Sequence, residues 1–246
     1  MTDARFRGVL VHLNADESQY LARVQEALHG SLRLGSAIGG GGLPEIQQGL
    51  LEVLYGLLAR PFTQSSAITL TVLDFFEPAM LFVILLFLFW SMGFSRTQSF
   101  LGTWFFCFLE LYNLNRPVHQ RGSFLLSLLV LFLLIRGTRC SVFWGVFGGM
   151  FMGVLVGVYF WAWTAVWLWW GLFVILEGVR VFRGGSSPSC LRRLFLFGGV
   201  GLLMALPFLW QMHSASLHPS YLEHFSVAES HLRESQRLLC GHSSFL

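Results

Sequence analysis

Long apolar runs separated by short polar breaks occupy residues 72–212, whereas residues 1–71 and 213–246 mix polar and apolar positions. Leu81 to Phe89 contains no polar residue, and between Arg139 and Glu177 there is no Asp, Glu, Lys or Arg. A helix crosses the bilayer hydrocarbon with about 20 apolar residues, so the second stretch is long enough to cross twice. Inside lipid the backbone must satisfy itself in helices or in a closed barrel. These runs lack the in/out alternation of barrel strands. The pattern therefore predicts an all-α, polytopic helical membrane protein of about six transmembrane or re-entrant helices, over residues 72–94, 100–114, 123–135, 141–159, 163–181 and 194–212. The second and third are too short to cross alone in a straight line. They are expected either to gain polar ends or to form a re-entrant pair.

Helical periodicity is also present in residues 1–71, at lower hydrophobicity. Asn14 is placed as an N-cap, with Glu17 three residues on to complete a capping box. Tyr20, Leu21, Val24 and Leu28 then share one helical face, opposite Arg23 and Glu26. Gly39 to Gly42 ends that helix in a loop, and Pro44 opens a second one. There Ile46, Leu50, Leu54, Leu57 and Leu58 oppose Glu45, Gln48 and Glu52. Two amphipathic helices of this kind are expected to lie in the interface or dock on the spanning bundle.

Composition sharpens the class. Of 246 residues 54% are apolar and only 12% charged, half the charged share of an ordinary soluble domain. All 16 basic residues are arginines, and they are spread over loops rather than gathered into the stripe a nucleic acid would need. If all six helices cross, Arg96, Arg136, Arg139, Arg180, Arg183, Arg192 and Arg193 share one side, and in short loops only Arg116 and Arg121 lie on the other. By the positive-inside rule the seven-arginine side is cytoplasmic. Residues 1–71, the 113–121 loop and the 213–246 tail are then extracytoplasmic, on a protein of the cell (inner or plasma) membrane. An outside N-terminal region needs a preceding signal or helix, so the chain is expected to be a fragment. Cys107, Cys140, Cys190 and Cys240 fall in separate segments without a CxxC, and no histidine has zincin spacing. No metal site is predicted.

Three local patterns carry further meaning. Ser141, Gly145, Gly149, Gly153 and Gly157 recur every four residues, which lines small side chains down one face for close helix packing. Tyr159, Phe160, Trp161 and Trp163 sit at a turn between spans, as an interfacial belt or as an aromatic wall for a sugar or prenyl chain. Trp167, Trp169 and Trp170 lie deeper, as packing or lipid-facing residues. Asp16 and Glu17 form an acidic pair; acids favour the positive first turn of a helix, and a carboxylate can also serve as a general base.

Asp16-Glu17-Ser-Gln-Tyr20-Leu-Ala-Arg23 resembles the D-E-x-x-Y stretch of the first extracytoplasmic loop in GT-C membrane glycosyltransferases, in the branch holding protein O-mannosyltransferases and aminoarabinose transferases. Asn115-Arg116-Pro117-Val-His119-Gln120, Tyr159-Phe-Trp-Ala-Trp163 and His218-Pro219-Ser-Tyr221 are similar to later external stretches of that family. The resemblance implies a polyprenyl-phosphate sugar as donor, with Asp16 taking the acceptor's proton and Glu17 beside it as the second catalytic carboxylate. A leaving phosphate needs cationic donors at the membrane surface, and Arg116, His119 and Arg121 are the candidates. The family's first transmembrane helix has no counterpart before Asp16, and no DxD motif is present, which leaves metal dependence open.

A non-enzymatic membrane protein, such as a transporter half or an assembly partner, is the rival class. A transporter is expected to place ionisable residues inside its spans. Only Asp74, Glu77 and Glu110 come close, and each is expected near the outer end of its span.

Overall fold

The computed structural model describes residues 17–31, 49–110, 121–139, 141–185 and 187–217. All regular structure among them is helical: α1 (Glu17–Leu28), α2 (Leu50–Ala59), α3 (Ser66–Ser91), α4 (Arg96–Glu110), α5 (Ser123–Arg139), α6 (Val142–Val154), α7 (Phe160–Phe182) and α8 (Pro188–Ser216), with a 3-10 turn, Leu155–Gly157, after α6. Each expected span corresponds to one helix, and among the described residues three are long and apolar enough to cross a membrane: α3, α7 and α8. Their 26, 23 and 29 residues at about 1.5 Å each exceed a hydrocarbon core of roughly 30 Å. The 15, 17 and 13 residues of α4, α5 and α6 do not. Of the roughly six expected transmembrane or re-entrant helices, three are thus long and apolar enough to cross.

Helix ends explain where the boundaries moved. α3 starts before residue 72 because Ser65 caps it, its hydroxyl accepting from the Ile68 amide. The Thr69 and Thr71 hydroxyls then donate to the carbonyls of Ser65 and Ala67, four residues back, so the polar start costs the helix little. α8 starts at Pro188, whose missing N–H is harmless in a first turn. α3 and α7 end alike. Gly93 and Gly184 have φ of 102° and 71°, and the amides of Phe94 and Gly185 reach back to the carbonyls of Phe89 and Arg180. Only a left-handed residue permits that closure, hence glycine.

α6 and α8 form the closest pair of the bundle. A Cβ on Gly149 would meet the Phe197 carbonyl oxygen, and one on Gly153 the Gly201 carbonyl oxygen and, at 2.9 Å, the Ala205 amide. At Gly145 the Arg193 carbonyl is 4.0 Å away, so the helices part toward that end. The four-residue glycine line thus sits against the backbone of α8. Across α5 and α6 a Cβ on Gly137 would meet the Gly145 backbone at 3.0 Å, and Trp170 of α7 fills the notch at Gly198 while its indole N–H donates to the Leu194 carbonyl at 2.8 Å. We expect Gly149→Leu and Gly153→Leu each to destabilise the protein by about 1–3 kcal/mol or more, since overpacking here meets backbone. Val154→Leu, at a half-buried site, should be tolerated. Melting temperature and monodispersity in detergent measure this; equal tolerance at all three sites would place the glycine face away from α8.

The outer surface has the polarity of a protein solvated by lipid. In α4 the residues turned inward are Ser99, Thr103 and Cys107, while Phe100, Leu101, Trp104, Phe105 and Phe108 are exposed. α7 buries only Ala162 and Val166 and exposes Leu168, Leu172, Ile175 and Leu176. Water would disfavour such faces, which form contiguous apolar patches.

Candidate functional site

The first two helices run in the same direction. Arg23 lies opposite Glu52, Ala27 opposite Gly56, and Gly30 opposite Arg60. Both pack against α3, and α1, α2 and α3 share one core with α5 to α8 through Tyr20, Val24, Leu51, Leu70, Val130 and Met152. Their facing surfaces carry charge. The Arg23 guanidinium donates to Glu52 Oε1 at 3.1 Å, with both side chains almost completely buried. One turn along α2, Tyr55 Oη donates to Glu77 Oε1 of α3 at 2.6 Å. One turn back along α3, Asp74 Oδ1 lies 3.1 Å from Arg121 Nη2, just before α5. Gly122 closes the group, since a Cβ there would strike Tyr55 Oη.

Burial sets the electrostatics of this cluster. It pushes the Tyr55 phenol up from its ordinary value, and the Glu77 and Glu52 carboxylates push the same way. Tyr55 therefore stays protonated and acts as a donor. Glu77 Oε1 is satisfied by that donor, but Glu77 Oε2 is buried and has no hydrogen-bond partner among the described residues.

The apolar face of α1 is buried as expected at Tyr20, Val24 and Leu28, but the places of Glu52 and Arg23 are corrected. Glu52, assigned to the polar face, is fully buried, while Leu54, Leu57 and Leu58, assigned to the apolar face, are exposed. Arg23, expected opposite the apolar face, is buried as well. Each charge compensates the other across the helix pair, and that pairing lies outside the reach of a single helix's periodicity. Glu77 also differs from expectation, being only 4% exposed and well inside α3 rather than near its end.

Of the residues expected to form the site, Asp16, Arg116 and His119 lie outside the described residues. Glu17 is the first residue of α1, and its side chain lies outside them too. Arg121 is described, and it is engaged by Asp74. Arg23, Glu52, Tyr55 and Glu77 were not expected in a site. The available signal was Asp74-x-x-Glu77-Pro78, two acids three apart in an apolar helix, because intramembrane ionisable residues mark functional positions.

The opposite end of the bundle holds a cavity of about 350 Å³ where α3, α5 and α7 end and α8 begins, lined by Met92, Thr138, Phe173, Glu177, Arg180 and Cys190 among others. The Thr138 carbonyl accepts from Arg193 Nη1 at 3.4 Å and from Cys190 Sγ at 3.6 Å, which ties α8 to α5. Among the described residues no group of three His, Cys, Asp or Glu is placed to hold a metal ion. No protein family, curated protein or solved structure matches this chain.

Proposed function

We propose that α3 to α8 are all membrane-embedded, crossing or re-entrant, and that the chain works as a glycosyltransferase of the extracytoplasmic face using a polyprenyl-phosphate sugar. Asp16 is the general base of this reading, Glu17 its neighbour, and Arg116, His119 and Arg121 surround the departing lipid phosphate. The observation that supports it is the meeting of α2 with residues 121 and 122. Gly122 lies against Tyr55 and Leu51 of α2, and Arg23 and Glu52 tie α2 to the helix that opens at Glu17. The acidic motif thus enters the helix pair that also receives the end of the arginine-bearing loop.

Transfer of labelled sugar by the purified protein in proteoliposomes, from a polyprenyl-phosphate donor to a hydroxyl-bearing peptide, is the test. Donor-dependent transfer is the expected result; a protein that neither binds the donor nor transfers the sugar has another function. The second reading is then a non-enzymatic membrane protein, a transporter half or assembly partner. Glu77, a carboxyl buried within the apolar helix α3, favours it.

The topology has its own test. The 95–99, 136–139 and 182–193 segments are assigned to the cytoplasm by the seven-to-two arginine split. In a cysteine-free background, Ser186→Cys should resist an impermeant thiol reagent in intact cells and react after permeabilisation. Labelling from outside would invert the assignment.

A further inference from the structure

Glu77 sits in the first helix long enough to cross, between a fixed donor and an empty partner position. Tyr55 occupies Oε1, while Oε2 has neither solvent contact nor a hydrogen-bond partner among the described residues. Pro78 follows it and has no N–H to offer the Asp74 carbonyl, its acceptor in the helical ladder. A carboxylate held there would keep Oε2 desolvated and without a hydrogen-bond partner among the described residues, which costs more than burying the neutral acid. The charges around it also pair with one another, Arg121 with Asp74 and Arg23 with Glu52. The cluster also has a partly exposed edge, with the Asp74 side chain 30% exposed beside Arg121 at 13%. A proton can enter there and travel a short way to Glu77.

We propose that Glu77 is a proton-binding site within α3. Its carboxylate takes up one proton from water at Oε2 and returns it, while Tyr55 holds Oε1 and the Asp74–Arg121 pair forms the entrance. This proposal shares Arg121 with the sugar-transfer reading but does not rest on it, and its test uses no sugar.

An apolar carbodiimide, dicyclohexylcarbodiimide, reports the protonated form directly. The carboxyl gives its proton to a carbodiimide nitrogen as its oxygen bonds to the central carbon. The resulting O-acylisourea rearranges to a stable N-acylurea, so the reaction is an addition with no leaving group. The full chain in proteoliposomes is treated between about pH 5 and about pH 9, and the adduct is mapped by peptide mass spectrometry. We expect the adduct on Glu77 at low pH, falling about tenfold per pH unit above the midpoint, as for one titrating proton. Tyr55→Phe removes a donor that favours the anion, so the label should persist to higher pH by roughly one to two units. Arg121→Gln removes a nearby cation and should shift the profile the same way, which keeps the test decisive should Tyr55→Phe misfold. The groups facing Glu77 that could move with it are Tyr55 and Glu52 of α2, Arg23 of α1, Asp74 of α3 and Arg121. No adduct at Glu77 at any pH, a pH-independent adduct, or a profile that neither variant shifts would each overturn the proposal.

Discussion

Arg23→Met and Glu52→Leu should each destabilise the protein by about 3–5 kcal/mol, and the double variant should recover most of that loss. Both side chains are almost completely buried, 3.1 Å apart, on helices that touch face to face. Removing one takes its ion-pair partner from a buried charge, which is the costly step; replacing both with apolar groups of similar size removes that cost. For a chain of this size a loss of 3 kcal/mol corresponds to a fall of roughly 6–12 °C in melting temperature. Thermal unfolding of the three variants in one detergent gives the coupling energy directly. Additive losses, with the double variant the least stable, would mean that Arg23 and Glu52 are sites of independent packing rather than a pair. The result also bears on α1, because Arg23 is its buried fastening to α2.

Arg23 and Glu52 also mark the limit of what the sequence reveals about this fold. The helical class, the order of the six apolar helices and the glycine line of α6 were legible because each is a local periodicity: uninterrupted apolar runs, or small residues every four positions. Gly149 and Gly153 meet the backbone of α8 for the reason their spacing suggested. The face of α2 was not legible, because a buried charge is decided by a partner 29 residues away. A helix read alone assigns Glu52 to the polar face, and the pairing with Arg23 buries it; Leu54, Leu57 and Leu58, expected on a face turned to the interface or to the bundle, are exposed. Glu77 was misplaced through a boundary. Starting at Ser66 rather than at residue 72 puts it 11 residues into α3 (77 − 66), about 17 Å along the axis and far from the end. The Ser65 cap and the back-bonding of Thr69 and Thr71 allow that earlier start, and a hydropathy pattern discounts all three as polar. Of the expected site, Arg121 was read for its charge alone; Asp74, its partner, was read as a span end. Only α6 was overestimated, where the 3-10 turn Leu155–Gly157 and Tyr159 were counted as span; α5 was underestimated, because it continues through Arg136 to Arg139.

Asp16→Asn is expected to reduce sugar transfer by about 10²–10⁴-fold, the usual loss when a general base is removed, with the melting temperature nearly unchanged. Asp16 immediately precedes α1, which opens at Glu17. Asparagine matches aspartate in size and caps helices equally well, so an Asp16 that serves only the helix start should accept the change. It cannot accept a proton, so a catalytic Asp16 should not. Glu17→Gln separates the pair. If Glu17 serves only the first turn of the helix, glutamine matches it in size and helix propensity and transfer should fall far less than in Asp16→Asn. The measurement is labelled-sugar transfer from a polyprenyl-phosphate donor, with thermal unfolding of each variant alongside it. Equal transfer by Asp16→Asn and the parent would make the carboxylate a helix-start residue and require a base elsewhere. A loss of transfer accompanied by an equal loss of folded protein would point to the helix start as well, because a base contributes to the barrier and leaves the fold alone. Only lost transfer in a protein that still melts at the parent temperature fits proton abstraction at Asp16.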